Sequence, residues 1–129
     1  MITIPKSVEY SVVFISFLSK NQDKIISLKE ASKKLHLPYS FLSKLATSLT
    51  SGGIIESQEG KRGGYKVKPG WQDKSFYDLL VALGENKAMV SCLGGKICAH
   101  SQGCSIKNIW QKIETSWQQE LKKINLGQI

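Results

Sequence analysis

Residues 27–67 carry the pattern that constrains this chain most: two short helical segments, a Gly-Gly stop, and a basic, glycine-rich hairpin. Ser27 followed by Glu30 has capping-box spacing, in which the serine oxygen accepts an orphan amide and the glutamate reaches back. It opens a helix through Leu35 with Leu28, Ala31 and Leu35 on one face. His36-Leu37-Pro38 is the turn, since proline pushes the residue before it out of helical geometry. Ser40 is placed to cap the next helix, whose apolar face is Phe41, Leu42, Leu45 and Leu49 and which Gly52-Gly53 ends. Ile54–Ser57 and Tyr65–Val67 then read as two strands around Gly60-Lys61-Arg62-Gly63-Gly64. Helix, helix and basic hairpin in this order make a winged helix-turn-helix, a head built to read DNA.

Charge agrees with that reading. The chain of 129 residues has a formal charge of +8. Through Trp71 there are eleven Lys/Arg against five Asp/Glu, and from Gln72 onward seven against five. The basic excess therefore lies on the head, as a phosphate-binding surface requires. All the basic residues but one are lysine; the lone arginine, Arg62, sits in the hairpin loop. On this reading the third helix enters the major groove with Tyr39, Ser40, Ser43 and Lys44, while Ser27 and Lys29 at the second helix meet phosphate. Lys61, Arg62 and Gly63 approach the adjacent minor groove, where glycine lets the backbone come close and arginine exploits negative potential.

Around this head, Val8, Val12, Phe14, Ile15 and Leu18 predict a first helix over Lys6–Ser19. Pro69-Gly70 marks a boundary, dividing a DNA-binding region (1–71) from a second region (72–129). The second region begins with a helix over Ser75–Leu83. It ends in a helix from Ser105 to Ile124 with an apolar stripe of Ile106, Ile109, Trp110, Ile113, Trp117, Leu121 and Ile124. So small a chain has little with which to cover that stripe, so a second copy is the expected cover, giving a homodimer and a roughly palindromic operator. The expected class is mainly α with a small β-hairpin: a winged helix-turn-helix plus a long C-terminal dimerisation helix. No stretch approaches the ~20 apolar residues of a membrane span, and the N-terminus lacks a secretory h-region, so a cytoplasmic location is expected.

Between the last two helices lie the chain's three cysteines, Cys92, Cys98 and Cys104, spaced by five residues each in a glycine-rich stretch (92–104). An odd trio cannot pair fully as disulfides, and it does not complete an all-cysteine tetrahedral site. Three soft ligands with an open fourth position suit an iron–sulfur cluster, 2Fe-2S before 4Fe-4S, completed from elsewhere. The alternatives are a structural zinc using His100, a thiol redox switch, or inert packing. A cysteine enzyme paired with His100 is not expected, because no acid–base constellation accompanies the pair.

Over essentially its whole length the chain resembles the bacterial winged-helix regulators typified by IscR and NsrR. The residues that carry the resemblance are Glu9-Tyr10, Ser27-Leu28-Lys29-Glu30-Ala31, Tyr39-Ser40-Phe41-Leu42, Gly53-Ile54-Ile55, Gly63-Gly64-Tyr65, the cysteine trio and Ile124-Asn125-Leu126. The resemblance implies a homodimeric transcriptional regulator, in our reading a repressor, whose iron–sulfur cluster controls DNA binding in response to nitric oxide, oxygen or iron supply. Relatives that sense cluster supply carry a histidine three residues after the third cysteine, where this chain has Lys107. Met89-Val90-Ser91-Cys92 and Lys107 look more like the NsrR branch. In some of those proteins a carboxylate on the partner's first helix completes the site, and the matching residue is Glu9; His100 is the alternative nitrogen ligand. The wing departs from the family in having Glu59 where an arginine is usual. A carboxylate there repels phosphate unless it reads a cytosine amino group or faces away.

Overall fold

The computed structural model describes residues 3–95 and 104–129. In chain order these form α1 (Lys6–Lys20), α2 (Leu28–Leu35), α3 (Tyr39–Ser51), β1 (Ile55–Gln58), β2 (Gly64–Val67), α4 (Phe76–Ala82) and α5 (Ser105–Lys123). Short 3-10 turns lie at Trp71–Asp73, Ser91–Gly94 and Leu126–Gln128. The class is the one the sequence predicts: helices with one small antiparallel hairpin.

The head is built around the inner faces of α1 and α3. Val8, Phe14, Ile15 and Leu18 from α1 are buried with Leu42, Leu45, Ala46 and Leu49 from α3 and with Ile54, Ile55 and Val67 from the hairpin. Truncating a side chain as buried as Phe14 to alanine costs ~3–5 kcal/mol, because transfer and cavity terms add. Tyr10 meets Phe41 edge to face, with centroids 5.5 Å apart, and so ties α1 to the first turn of α3. Val12 is only half-buried, and Ser11 takes the inward position beside Phe14 and Ile15.

Two of the sequence-derived caps need correction. At α2 only the serine half of the box forms: the Glu30 amide donates to Ser27 Oγ at 3.1 Å. The complete reciprocal box is instead at α4, where the Asp78 amide donates to Ser75 Oγ (3.1 Å) and the Ser75 amide to Asp78 Oδ2 (2.8 Å). Ser40 does not cap α3. The helix starts at Tyr39 with Pro38 in the capping position and no side-chain cap. Proline's fixed φ (here −59°) and missing N–H suit chain entering a helix, so the start falls one residue earlier than a serine cap would put it.

The helix ends behave as read. His36 adopts a left-handed φ of 55°, and the Leu37 amide returns to the Ser32 carbonyl, so His36 is a turn residue of the head. Gly53, at φ 73°, closes α3 with its amide on Thr50 O and the Ile54 amide on Leu49 O.

In the hairpin Ile55 pairs with Val67, Glu56 with Lys66, Ser57 with Tyr65 and Gln58 with Gly64. Ile26, just ahead of α2, adds a single bridge to β2: its amide donates to Tyr65 O (3.0 Å), and its carbonyl accepts from the Tyr65 amide (2.7 Å). The wing is therefore stitched to the N-terminus of α2. Gly64 makes this possible, since a Cβ there would lie 2.5 Å from Ile26 C and 2.8 Å from Ser27 N, inside the backbone.

The C-terminal region shares the same core, which includes Leu79, Leu80, Leu121 and Leu126. The tail folds back: the Phe76 amide donates to Ile124 O (2.7 Å) and the Leu126 amide to Lys74 O (2.8 Å). Along α5 only Leu121 is buried, packed within its own subunit. Ile106, Ile109, Trp110, Ile113, Trp117 and Ile124 remain exposed, from 38% at Trp110 to 55% at Ile109. No helix among the described residues is long and apolar enough to cross a membrane.

Candidate nucleic-acid interface and metal site

The N-terminus of α2, the N-terminus of α3 and the wing converge on one concavity. It is lined by Ser27, Lys29, Tyr39, Gln58, Glu59 and Gly63, among others. Four of the residues expected to touch DNA, Ser27, Lys29, Tyr39 and Gly63, are thus brought together. The Ser27 oxygen is occupied by the Glu30 amide, so a phosphate arriving here would meet the unpaired first-turn amides of α2 rather than the serine itself. Lys29, Tyr39, Ser40, Lys44, Lys61 and Arg62 are exposed, and Ser43 is half-buried.

On α3 the exposed residues Ser40, Lys44, Thr47 and Ser51 follow the three-and-four spacing of one helical face. Thr47 and Ser51 lie on the same exposed face, beyond the residues picked out from sequence, and that spacing was the signal available for them. Gln58, at the end of β1, is a second addition; nothing in a four-residue strand reveals which residue reaches the α2 end. Glu59 is exposed and is among the residues that line the concavity.

The cysteine stretch begins in the Ser91–Gly94 turn and ends where α5 begins. Cys92 and Cys104 are free thiols, both half-buried. Cys104 occupies the N-cap position of α5, with no side-chain cap bond. Cys98 and the alternative ligand His100 lie outside the described residues. Neither described thiol belongs to the hydrophobic core, as inert packing would require. Both are also unpaired, so the donor set suits a soft metal or an iron–sulfur cluster. Among the described residues no three metal-ligating side chains converge within one chain.

Glu9 sits on the outer side of the first turn of α1, exposed, its Oε2 2.9 Å from Lys6 Nζ. That partner raises the Lys6 pKa, through the hydrogen bond first and the charge of Glu9 second. The pair is solvent-exposed, and such pairs hold their members weakly, so Glu9 is available to another ligand. Lys107 is half-buried in the first turn of α5.

Comparison with known proteins identifies the family and the fold. Residues 4–129 match the Rrf2 family, described as an iron-dependent transcriptional regulator. A Haemophilus influenzae protein named for helix-turn-helix transcriptional regulation is 26% identical over 121 residues, covering 93% of this chain and 81% of that protein. IscR of Photobacterium profundum, a transcriptional regulator of the same type, is 24% identical over 109 residues, covering 84% of this chain and 63% of IscR. In fold the chain is similar to CymR, the global cysteine regulator of B. subtilis, with a TM-score of 0.74 at 20% identity over 98% of this chain and 94% of CymR. It is likewise similar to T. potens IscR, with a TM-score of 0.73 at 21% identity over 97% and 83% of the two chains. The chain belongs to the Rrf2 family of transcriptional regulators, and its winged helix-turn-helix is the DNA-binding head.

Proposed function

We propose that this regulator is a homodimeric, cytoplasmic repressor whose DNA binding is set by an iron–sulfur cluster held at Cys92, Cys98 and Cys104, with Glu9 of the partner subunit as fourth ligand. The observation that carries the reading is the state of Cys92 and Cys104: free, half-buried thiols outside the core, one in the Ser91–Gly94 turn and the other at the N-cap position of the uncovered helix α5. When bound, the group, most simply 2Fe-2S, supplies an iron centre open to nitric oxide or oxygen, as in the NsrR branch. The positive end of α5 beside Cys104 favours the negative charge of such a site.

The chain's own residues do the rest. Residues 1–71 read DNA, and residues 72–129 carry the cysteines and the dimer contact. The exposed α5 residues Ile106, Ile109, Trp110, Ile113 and Trp117, with Ile124 just beyond, pack against the same face of a second copy. Two heads related by that symmetry present Tyr39, Ser40, Ser43 and Lys44 to successive major grooves of a roughly palindromic operator. The α2 amides near Ser27 and Lys29 grip phosphate, and Lys61, Arg62 and Gly63 reach the minor groove. A ~10²-fold change in DNA affinity needs only ~2.7 kcal/mol of coupling between the cysteine segment and the heads.

Anaerobically purified protein should be coloured and contain iron and acid-labile sulfide, and Cys92→Ala, Cys98→Ala or Cys104→Ala should each abolish this. Stoichiometric zinc without sulfide in oxygen-free preparations would replace the cluster with a structural zinc. Colourless, metal-free protein with reversible thiol oxidation would leave a thiol switch at the same cysteines.

A further inference from the structure

The strap between α4 and Cys92 (residues 84–90) is fastened at both ends to different parts of the molecule. At its start the Glu85 amide returns to Leu80 O (2.8 Å), closing α4, while Glu85 Oε1 accepts from Ser7 Oγ at 3.0 Å. Ser7 and Glu85 are 78 residues apart, so this bond joins the first turn of α1 to the run of chain leading into the cysteines. At the far end the Met89 amide donates to Glu114 Oε1, also at 3.0 Å, which fixes the strap to the middle of α5 three residues before Cys92. Beneath the strap a small cavity is lined by Tyr77, Leu80, Glu85, Met89, Glu114 and Trp117. The side chain of Met89 also borders the groove on α5 formed with Ile113 and Trp117.

Both bonds are to carboxylates, whose hydrogen bonds run at about twice the strength of neutral ones. Both are part-buried, where water competes less well. Ser7 lies two residues before Glu9, roughly 200° around the helix at 3.6 residues per turn. The serine can therefore hold its own strap while Glu9 points elsewhere.

We infer that Glu114 and the Ser7–Glu85 pair are positioning residues: Glu114 sets the strap, and with it Cys92, on the dimer helix, and Ser7–Glu85 passes the position of the strap to α1 of the head. The inference rests on the cysteine-site reading above for what the strap transmits, but not for the clamp itself. Displacement of the cysteine end pulls on Met89, the strap carries it to Glu85, and α1 moves with Ser7. Since α1 holds α3 through Tyr10 and Phe41, the recognition helix follows.

Two arms test this. In cluster-free protein, amide hydrogen exchange at Met89 should speed up at least ten-fold in Glu114→Ala and return close to wild type in Glu114→Gln, whose carbonyl oxygen still accepts the bond. Unchanged exchange in Glu114→Ala, or failure of Glu114→Gln to restore protection, overturns the role of Glu114. In the second arm, operator affinity is measured with and without reconstituted cluster for wild type, Glu114→Ala and Ser7→Ala. The ratio of the two affinities should shrink at least three-fold in both variants, with cluster-free affinity unchanged. A ratio equal to that of wild type overturns the link to the head. If wild-type protein takes up no iron and sulfide, the cysteine-site reading fails instead, and the exchange arm still decides the clamp.

Discussion

Replacing Ile109 and Ile113 together by serine should dissociate the dimer while leaving each subunit folded. Both side chains stand on the uncovered face of α5, at 55% and 41% exposure respectively. Fully burying an isoleucine is worth ~1.5–3 kcal/mol, so covering the exposed part of these two yields ~1.5–3 kcal/mol per subunit. In a two-fold dimer each position counts twice, giving ~3–6 kcal/mol in all, or a dissociation constant weakened by roughly 10²- to 10⁴-fold. Neither residue contributes to the subunit's own core, so helical content and melting of the monomer should change little. Sedimentation velocity across a concentration series reads the first quantity and circular dichroism the second. A double variant that remains dimeric at wild-type concentrations would move the interface off α5, and unfolding on substitution would show that the face is needed within the subunit.

Other consequences follow from the head and the cysteine site. Arg62→Ala should weaken operator binding by ~1–3 kcal/mol, with Arg62→Lys recovering only part, since a guanidinium suits a narrow groove better than a strongly hydrated ammonium; equal affinities in a fluorescence titration would remove the wing from recognition. Gly64→Ala should separate the wing from Ile26 and Ser27, because the backbone cannot yield to a Cβ at 2.5 Å; loss of protection at the Ile26 and Tyr65 amides would show it, and retention would contradict the close approach. Lys44→Ala should weaken operator and random DNA alike and lower the salt slope by about one unit, which a filter-binding series in salt would read. Glu9→Ala should leave folding intact but shift the visible spectrum of loaded protein, whereas a shift caused by His100→Ala alone would assign the fourth ligand to nitrogen.

The head was legible because its signals are local. Ser27 at a helix start, Gly52-Gly53 at a helix end and alternation around a basic loop each act within a few residues, and each marked an element that formed. The hairpin strands shifted by about a residue because a short strand's ends depend on its partner's register, which no four-residue pattern encodes. What escaped the sequence was long-range. The single rung between Ile26 and Tyr65, the Ser7–Glu85 and Met89–Glu114 bonds, and the return of Leu126 onto Lys74 each join residues far apart in the chain. None needs a residue type that stands out locally: a glutamate on a helix reads as a solvated charge until the strap beside it is seen. The α5 stripe, by contrast, was legible from its period alone, and of its residues only Leu121 is buried within the subunit.

The account turns on the cysteine site governing the DNA-binding head. The direct measurement is the operator affinity of one preparation, anaerobic and loaded, then again after nitric oxide has bleached it, at a single salt concentration. The account predicts that affinity falls by ~10²-fold on bleaching, equivalent to ~2.7 kcal/mol of coupling, and that the dimer persists. Equal affinity before and after, in protein shown to have held and lost its iron, would contradict it.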